Sequence, residues 1–416
     1  MTSPASVNAQ VLVATPAARP AVDLADTSSL RGPPSVLFVD QSGQLGGAEL
    51  CLLPLASSWT ARREVLLLAD GPFRKRLESL GVQVELTCDA RVSRISKDAV
   101  RVGWLMALPG IIRQARAIAH RARSFDVLFL NTQKALVLGA LGKPLHRKRI
   151  VWHLHDILSA EHFGPVQRLI VKWLTRLAVD HVIANSRASA FSLVELAKCA
   201  PESVPVVHNG VDMDVFRSID ASDLGALRKR LGLPETAYLA GLFGRLSPWK
   251  GQHVALDALA KLPDVHLVLV GAALFGEEAY VISLRAQAAR LGIEDRLHFA
   301  GFHDDAPAWM KAMDVILHTS TVPEPFGRVI IEGMAAGRPV IASAAGGVME
   351  IVRHGKNGWL VEPDNAAALV DAVQTLRAEP DLAQRLASQA LIDVKRHFSL
   401  EAYLTQMTNA IASVAR

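Results

Sequence analysis

At 416 residues the chain is long for a single core. Half of it is hydrophobic and a fifth charged, which fits two globular domains and excludes a disordered or fibrous protein. Its three cysteines, Cys51, Cys88 and Cys199, are scattered without metal-ligand spacing, so a disulfide scaffold is excluded and a reduced, intracellular setting is expected. No apolar run approaches the length that spans a bilayer, so an integral membrane protein is not expected. The formal charge of +5 is unevenly divided: residues 1–208 carry 25 Lys and Arg against 16 Asp and Glu, or +9, which leaves −4 for the remainder.

Residues 1–33 are rich in Ala, Pro, Ser and Thr without a period and are expected to form a disordered tail; they lack the basic start and apolar core of a secretion signal. Order is expected from the apolar run 36–40, followed by Gln41-Ser42-Gly43-Gln44-Leu45-Gly46-Gly47-Ala48-Glu49. In a strand, glycine-rich turn and helix, Gly46 and Gly47 would let the backbone approach a ligand, although a Gly-Gly pair suits a plain tight turn equally well. The glycines are not spaced as G-x-G-x-x-G, which disfavours a dinucleotide-dependent oxidoreductase. Strand-like runs recur at 65–69, 126–131, 149–153 and 181–184, with helical patterns between them. Such alternation argues for a parallel sheet covered on both faces, with a ligand at the carboxyl ends of its strands. That rim carries Asn131 and Thr132, then His153-Leu154-His155-Asp156, then Asn185-Ser186-Arg187.

The positive excess of this half lies in 74–76, 113–123, 147–149, and in Arg168, Lys172 and Arg176 beside Trp173. Basic segments carrying apolar residues suit an anionic membrane surface or acceptor, and they suit solvated helix faces as well. No aromatic-interleaved basic platform is present, so nucleic acid is not an expected partner.

The strand and helix pattern restarts at 238–244 and leads into Gly244-Arg245-Leu246-Ser247-Pro248-Trp249-Lys250-Gly251. Arg245 as a bidentate donor and Lys250 as a point charge together suit a diphosphate, though ordinary surface charge would read the same. Strand-like runs follow at 266–270, 296–299, 314–317 and 339–342. Between the last two, Glu324 precedes Pro325 and is expected in an extended loop, and Pro325 suits a first helical position. A helix carrying Glu332 should therefore end at Gly337-Arg338-Pro339, with the free N–H groups of Phe326, Gly327 and Arg328 favouring a phosphate. A phosphate seat between two hydroxyl-accepting carboxylates suits a nucleotide sugar; two solvated glutamates would give the same spacing. No metal-binding carboxylate signature is found.

The ordered set Gly46-Gly47-Ala48-Glu49, His155-Asp156, Asn185-Ser186, Asn209-Gly210-Val211-Asp212, Gly244-Arg245, Lys250-Gly251 and Glu324-Pro325-Phe326-Gly327 with Glu332 resembles the retaining glycosyltransferases of family 4. Residues 354–361, His-Gly-Lys-Asn-Gly-Trp-Leu-Val, are similar to a further turn of that family. The resemblance implies an α/β protein of the GT-B fold, two facing Rossmann-like doubly wound domains: 34–208 on the acceptor side, 209–399 for the nucleotide sugar, and a helix at 400–416 crossing back to the first. It implies a retaining, metal-independent hexosyltransferase with no cofactor. The donor would be a UDP- or GDP-linked sugar and the acceptor a saccharide or lipid-linked saccharide, in bacterial exopolysaccharide, lipopolysaccharide or glycolipid assembly. Its expected setting is the cytoplasm, with peripheral docking at the inner face of the plasma membrane through the basic first domain.

By the same resemblance Glu332 would accept from the ribose hydroxyls and Glu324 from a donor-sugar hydroxyl. Arg245 and Lys250, with the amides of Phe326, Gly327 and Arg328, would hold the diphosphate; Gly46 and Gly47 would close over it. His155 would meet the sugar at the reacting centre, Asn185 would line the site, and the backbone near Gly301-Phe302-His303 would hold the nucleobase. Arg328 stands where many relatives carry an aliphatic residue, with consequences for donor preference or acceptor contact. A nucleotide-sugar epimerase of the same architecture, or a non-catalytic nucleotide-sugar binder, fits the set less well.

Overall fold

The computed structural model describes residues 32–88, 103–274 and 276–415, so residues 1–31 of the expected tail lie outside it. The first half forms a six-stranded parallel sheet from β1 (Val36–Asp40), β2 (Arg63–Leu67), β3 (Val84–Leu86), β4 (Val127–Leu130), β5 (Arg149–Leu154) and β6 (His181–Ala184), in the order β3-β2-β1-β4-β5-β6. The second half repeats the plan with β7 (Tyr238–Phe243), β8 (Val265–Val270), β9 (Leu297–Gly301), β10 (Val315–His318), β11 (Val340–Ser343) and β12 (Trp359–Val361), in the order β12-β11-β10-β7-β8-β9.

All five residues of β1 and all four of β4 and β10 are buried. Strands with helices on both faces have no wet side, and this is why these runs are apolar throughout instead of alternating. In each sheet the strand order reverses between its first and fourth strands, at β1/β4 and at β7/β10. Loops leaving the carboxyl ends there diverge to opposite faces and open a crevice.

Two crossovers join the halves and lie side by side. Val211 N–H donates to Phe398 O (2.9 Å) and Leu400 N–H donates to Val211 O (3.0 Å). Beyond the second crossover the helix Leu400–Val414 packs on the first sheet, where Tyr403, Met407 and Ile411 are buried with Val36, Phe38, Leu52 and Phe129. Among the described residues no helix is long and apolar enough to cross a membrane.

Candidate active site

The C-terminal wall of the cleft is built by the loops that leave β7 and β10. Lys250 lies in a short 3-10 turn, Pro248–Lys250, and Glu324 at the end of the loop that follows His318. They meet as a partly buried ion pair: Lys250 Nζ donates to both carboxylate oxygens of Glu324, at 2.9 and 2.8 Å. Ser320 Oγ donates to Glu324 Oε2 at 2.9 Å and His318 Nε2 lies 3.4 Å from the same oxygen. Burial alone would push the Glu324 carboxyl up, but the Lys250 charge and the His318 contact outweigh it and hold the group well below the usual carboxylate range. The backbone of Glu324 is pinned as well, since Gly347 N–H donates to its carbonyl at 2.8 Å. Gly346 has φ +65°, and a Cβ there would fall 2.3 Å from the Glu324 carbonyl oxygen, so glycine is required for this approach. Arg245 pairs with Glu277 at 3.4 Å, and Lys250 Nζ lies 4.2 Å from the Trp249 ring centre.

The helix after Glu324 spans Arg328–Ala335, not a stretch opening at Pro325. Gly327 has φ +101°, a left-handed conformation that ends the incoming loop and delays the first helical residue to Arg328. The amides at the helix start therefore lie further along the chain than the sequence suggests, and Phe326, 2% exposed, is a core residue stacked on His208 at 5.8 Å. Glu332 does lie on this helix, one turn after Arg328, and the two form an ion pair at 2.7 Å. Burial raises the Glu332 carboxyl and Arg328 partly offsets it. Arg328 also crosses the cleft. Its Nη1 donates to the Gly210 carbonyl at 3.4 Å and to Cys51 Sγ at 3.7 Å, the latter in the helix after β1. Instead of standing free beside a phosphate seat, it joins the two halves.

The N-terminal wall comes from the ends of β1, β4 and β5. Asp40, fully buried, accepts from Asn131 Nδ2 at 2.7 Å and from Ser42 N–H at 2.8 Å. Asn131 Oδ1 in turn lies 3.1 Å from His155 Nε2. Gly46 N–H donates to Glu49 Oε2 at 3.0 Å, which fixes the glycine turn to the first turn of helix Gly47–Ser58. A Cβ on Gly47 would meet no protein atom within 4 Å, so this glycine faces away from the packed interior. Burial raises the Asp40 carboxyl to about 6 and the neighbouring Glu49 carboxyl to about 8, with the Asp40 charge adding to the second. Burial pushes His155 down to about 3. Asn185 closes the rim: its N–H donates to Leu154 O at 3.1 Å, while its buried Oδ1 has no protein partner among the described residues.

A third contact set spans the cleft. Glu350 accepts from the N–H groups of Arg187 and Ala188, at 2.9 Å each, at the start of helix Arg187–Ala197 in the first half. His208 Nε2, in the first crossover, lies 2.9 Å from the same carboxylate. Burial opposes ionisation of Glu350, and the His208 contact and the two amides more than compensate, leaving its carboxyl below the usual range.

The structure thus gathers Arg245, Lys250, Glu324, Arg328 and Glu332 on one wall and Gly46, Gly47, His155 and Asn185 on the other. Phe302, 59% exposed, follows Gly301 at the end of β9 on the C-terminal rim. Sequence reasoning missed Ser320 and His318 as supports of Glu324, Glu277 as the partner of Arg245, and Glu350 as a link between halves. The run His318-Thr319-Ser320 at a strand's carboxyl end was the available signal for the first two.

Comparisons with known proteins agree with this geometry. A model of glycosyl transferases group 1 matches residues 225–392, and one of glycosyltransferase family 4 matches residues 45–215. A D-inositol 3-phosphate glycosyltransferase of Xylanimonas cellulosilytica is 34% identical over 290 residues, which are 66% of this chain and 69% of that protein. Its counterpart in Streptomyces scabiei is 35% identical over 236 residues, 54% of this chain, and there the chain spans about half (52%) of the relative's length. The crystal structure of Anabaena HepE in complex with UDP-glucose matches with a TM-score of 0.83 and 39% identity, covering 91% of this chain and 100% of that one. The lipopolysaccharide glycosyltransferase WaaG, at 17% identity and a TM-score of 0.68 over 90% of this chain and 99% of its own, shares the fold. The chain belongs to the group 1 glycosyltransferases of family 4, with their GT-B architecture of two doubly wound domains around a cleft.

Proposed function

We propose that the chain is a retaining hexosyltransferase that takes its sugar from a UDP-linked donor, UDP-glucose foremost, and passes it to a saccharide or lipid-linked saccharide in surface polysaccharide or glycolipid assembly. One observation carries this reading. The β7 and β10 loops bring a half-buried ammonium and a buried carboxylate to 2.8 Å, in a chain 39% identical to a protein solved with UDP-glucose.

In this reading the bond from the sugar C1 to the diphosphate oxygen breaks and a bond from C1 to the acceptor oxygen forms on the same face. The acceptor proton passes to the departing phosphate oxygen. Lys250 and Arg245 stabilise the charge that grows on the diphosphate, preorganised by their carboxylate partners, and no metal is assigned to that task. Glu324, held ionised, accepts from a sugar hydroxyl; Glu332 accepts from the ribose once Arg328 yields it; Phe302 flanks the base. His155, neutral through burial, contacts the sugar without adding charge at C1, and Asn185 offers its unpartnered carbonyl from the rim.

The membrane component rests on helix Pro165–Ala178. Val166, Leu169, Trp173 and Leu177 share one face of it and are 48, 55, 48 and 76% exposed, with Arg168, Lys172 and Arg176 interleaved. Leu141 and Leu145, exposed on the preceding helices, extend the apolar area. An apolar stripe bordered by cations suits the boundary of an anionic bilayer. Binding to phosphatidylglycerol vesicles should weaken with salt and with Trp173→Ser; salt-insensitive or absent binding removes this component.

Thermal melting with UDP-glucose, UDP-N-acetylglucosamine, GDP-mannose and UDP tests the donor. A ligand at a hundred times its Kd adds about 2.7 kcal/mol to the folded state. UDP-glucose should stabilise most. Stabilisation by GDP-mannose alone, or by none of the four, overturns the assignment.

A further inference from the structure

Asn131 is not among the residues assigned to substrate above, yet both ends of its side-chain amide are hydrogen-bonded on the N-terminal wall. It is fully buried at the end of β4, beside the switch point of the first sheet. Its Nδ2 donates to Asp40 Oδ2 at 2.7 Å and to the carbonyl of Ala48 at 3.2 Å. The Ala48 carbonyl can only accept, so the amide cannot be turned over, and its Oδ1 must be the atom that faces His155 Nε2 at 3.1 Å. An amide oxygen only accepts; the ring nitrogen opposite must carry the proton.

We propose that Asn131 is a positioning residue that fixes His155 as the tautomer protonated on Nε2, leaving Nδ1 as the acceptor offered to a hydroxyl of the donor sugar. The second part rests on the glycosyl-transfer reading; the first does not. Other observations agree with a fixed, uncharged ring. His155 lies against His153, with ring centres 3.9 Å apart, and His153 is itself packed edge-on to Phe129 at 5.9 Å. Both His153 nitrogens are buried without a protein partner among the described residues, and burial followed by the neighbouring His155 keeps His153 well below its ordinary pKa. The ring thus contacts one neutral imidazole, His153, and one amide, Asn131, with Asp40 behind the amide. Because Ala48 lies in the first turn after Gly46 and Gly47, the same amide also sets the distance between the glycine turn and His155. A residue that orients a functional ring through its second nitrogen often changes activity by about ten- to a hundredfold where this has been measured at metal-bound histidines.

The test is nitrogen NMR of the histidine-labelled full chain, with His155 assigned by difference from His155→Gln. Between pH 6 and 8 the His155 resonances should show a protonated Nε2 and an unprotonated Nδ1. Asn131→Leu removes the acceptor at similar volume and should give a mixture of tautomers, whereas Asn131→Asp keeps an oxygen in place and should retain the Nε2–H form. With UDP-glucose as probe, acceptor-free release of UDP should fall about ten- to a hundredfold in kcat for Asn131→Leu, with the donor KM moving by less than about threefold, and Asn131→Asp should recover part of the loss. A protonated Nδ1 in the unmodified chain overturns the proposal, as does a tautomer unchanged in Asn131→Leu. If Asn131→Leu does not fold, the unmodified chain and Asn131→Asp decide. A tautomer that behaves as expected, in a chain that releases UDP from no donor, leaves the positioning role standing and removes the glycosyl-transfer reading.

Discussion

On the C-terminal wall Lys250 and Glu324 satisfy each other as an ion pair and the Glu324 carboxyl is held well below its usual range, while Arg245 has Glu277. On the N-terminal wall Asp40, Glu49, His153 and His155 are each pushed by burial toward the neutral form. Both walls descend from the same strand order, so topology alone does not set this difference. At Glu324 pairing does: Lys250 faces it, whereas like or neutral groups face Asp40, Glu49 and His155, and Glu332, though paired with Arg328, is still raised by burial. The contrast suits a transfer in which negative charge grows at a leaving diphosphate while positive charge grows at the sugar C1. One wall must be charged before the reaction starts, and the other must hydrogen-bond without perturbing the developing positive charge at C1.

The sharpest way to break the contrast is Lys250→Met. Removing one partner of the partly buried pair strands the Glu324 carboxylate, so stability should fall by about 3 kcal/mol and kcat by about a hundredfold or more. Adding Glu324→Gln should restore much of the stability in denaturant unfolding and none of the kcat. Stability unchanged in Lys250→Met would show that the pair is screened and that the two walls do not differ in this way.

A smaller effect is expected of Glu332→Gln. Loss of a charged acceptor for the ribose should raise the donor KM by about tenfold with little change in kcat, the signature of lost uniform binding. A fall in kcat at constant KM would move Glu332 from holding the nucleotide to the reaction itself.

A pH effect tests the neutral wall. The Glu49 carboxyl is raised from 4.5 to about 8, so the folded chain retains a proton that the unfolded chain releases. Its contribution to stability is full below about 4.5 and is lost as pH rises toward about 8. Glu49→Gln should therefore flatten the decline of melting temperature across that window. His155, depressed to about 3, works in the opposite sense, its contribution being lost as pH falls below 6.5. An unaltered slope in Glu49→Gln would mean that Glu49 is ionised in the folded chain.

Much of the architecture was legible in the sequence because parallel strands buried on both faces leave continuous apolar runs, as at Val36–Asp40 and Val315–His318. The three-residue edge strands Val84–Leu86 and Trp359–Val361 were not, since so short a run carries no period. Arg245, Lys250, Glu324 and Glu332 could be singled out because each stands in a short, ordered motif. Their partnerships could not: Lys250 and Glu324 are 74 positions apart and Asn131 and Asp40 are 91 apart, and separation in sequence says nothing of which loops meet at a switch point. The start of the helix carrying Glu332 was misread because Pro325 satisfied a helix-start rule that the left-handed Gly327 overrides. Arg328 looked like a free cation near a phosphate; its pairing with Glu332 on the same helix was readable from the four-residue spacing, but its reach to Cys51 was not.

The helix Leu400–Val414 has a consequence for how the protein is made. Tyr403, Met407 and Ile411 complete the core on one face of the first sheet, yet they leave the ribosome roughly 220 residues after β6. At about 5–20 residues per second that is a wait of ~10–40 s, during which the first domain has all its strands but an apolar face still uncovered. The second domain, whose sheet lies wholly between the crossovers, can close its own core earlier. The half synthesised first is thus the half that finishes folding last, and a chain halted before Tyr403 would expose the face formed by Val36, Phe38 and Phe129 to solvent and to chaperones.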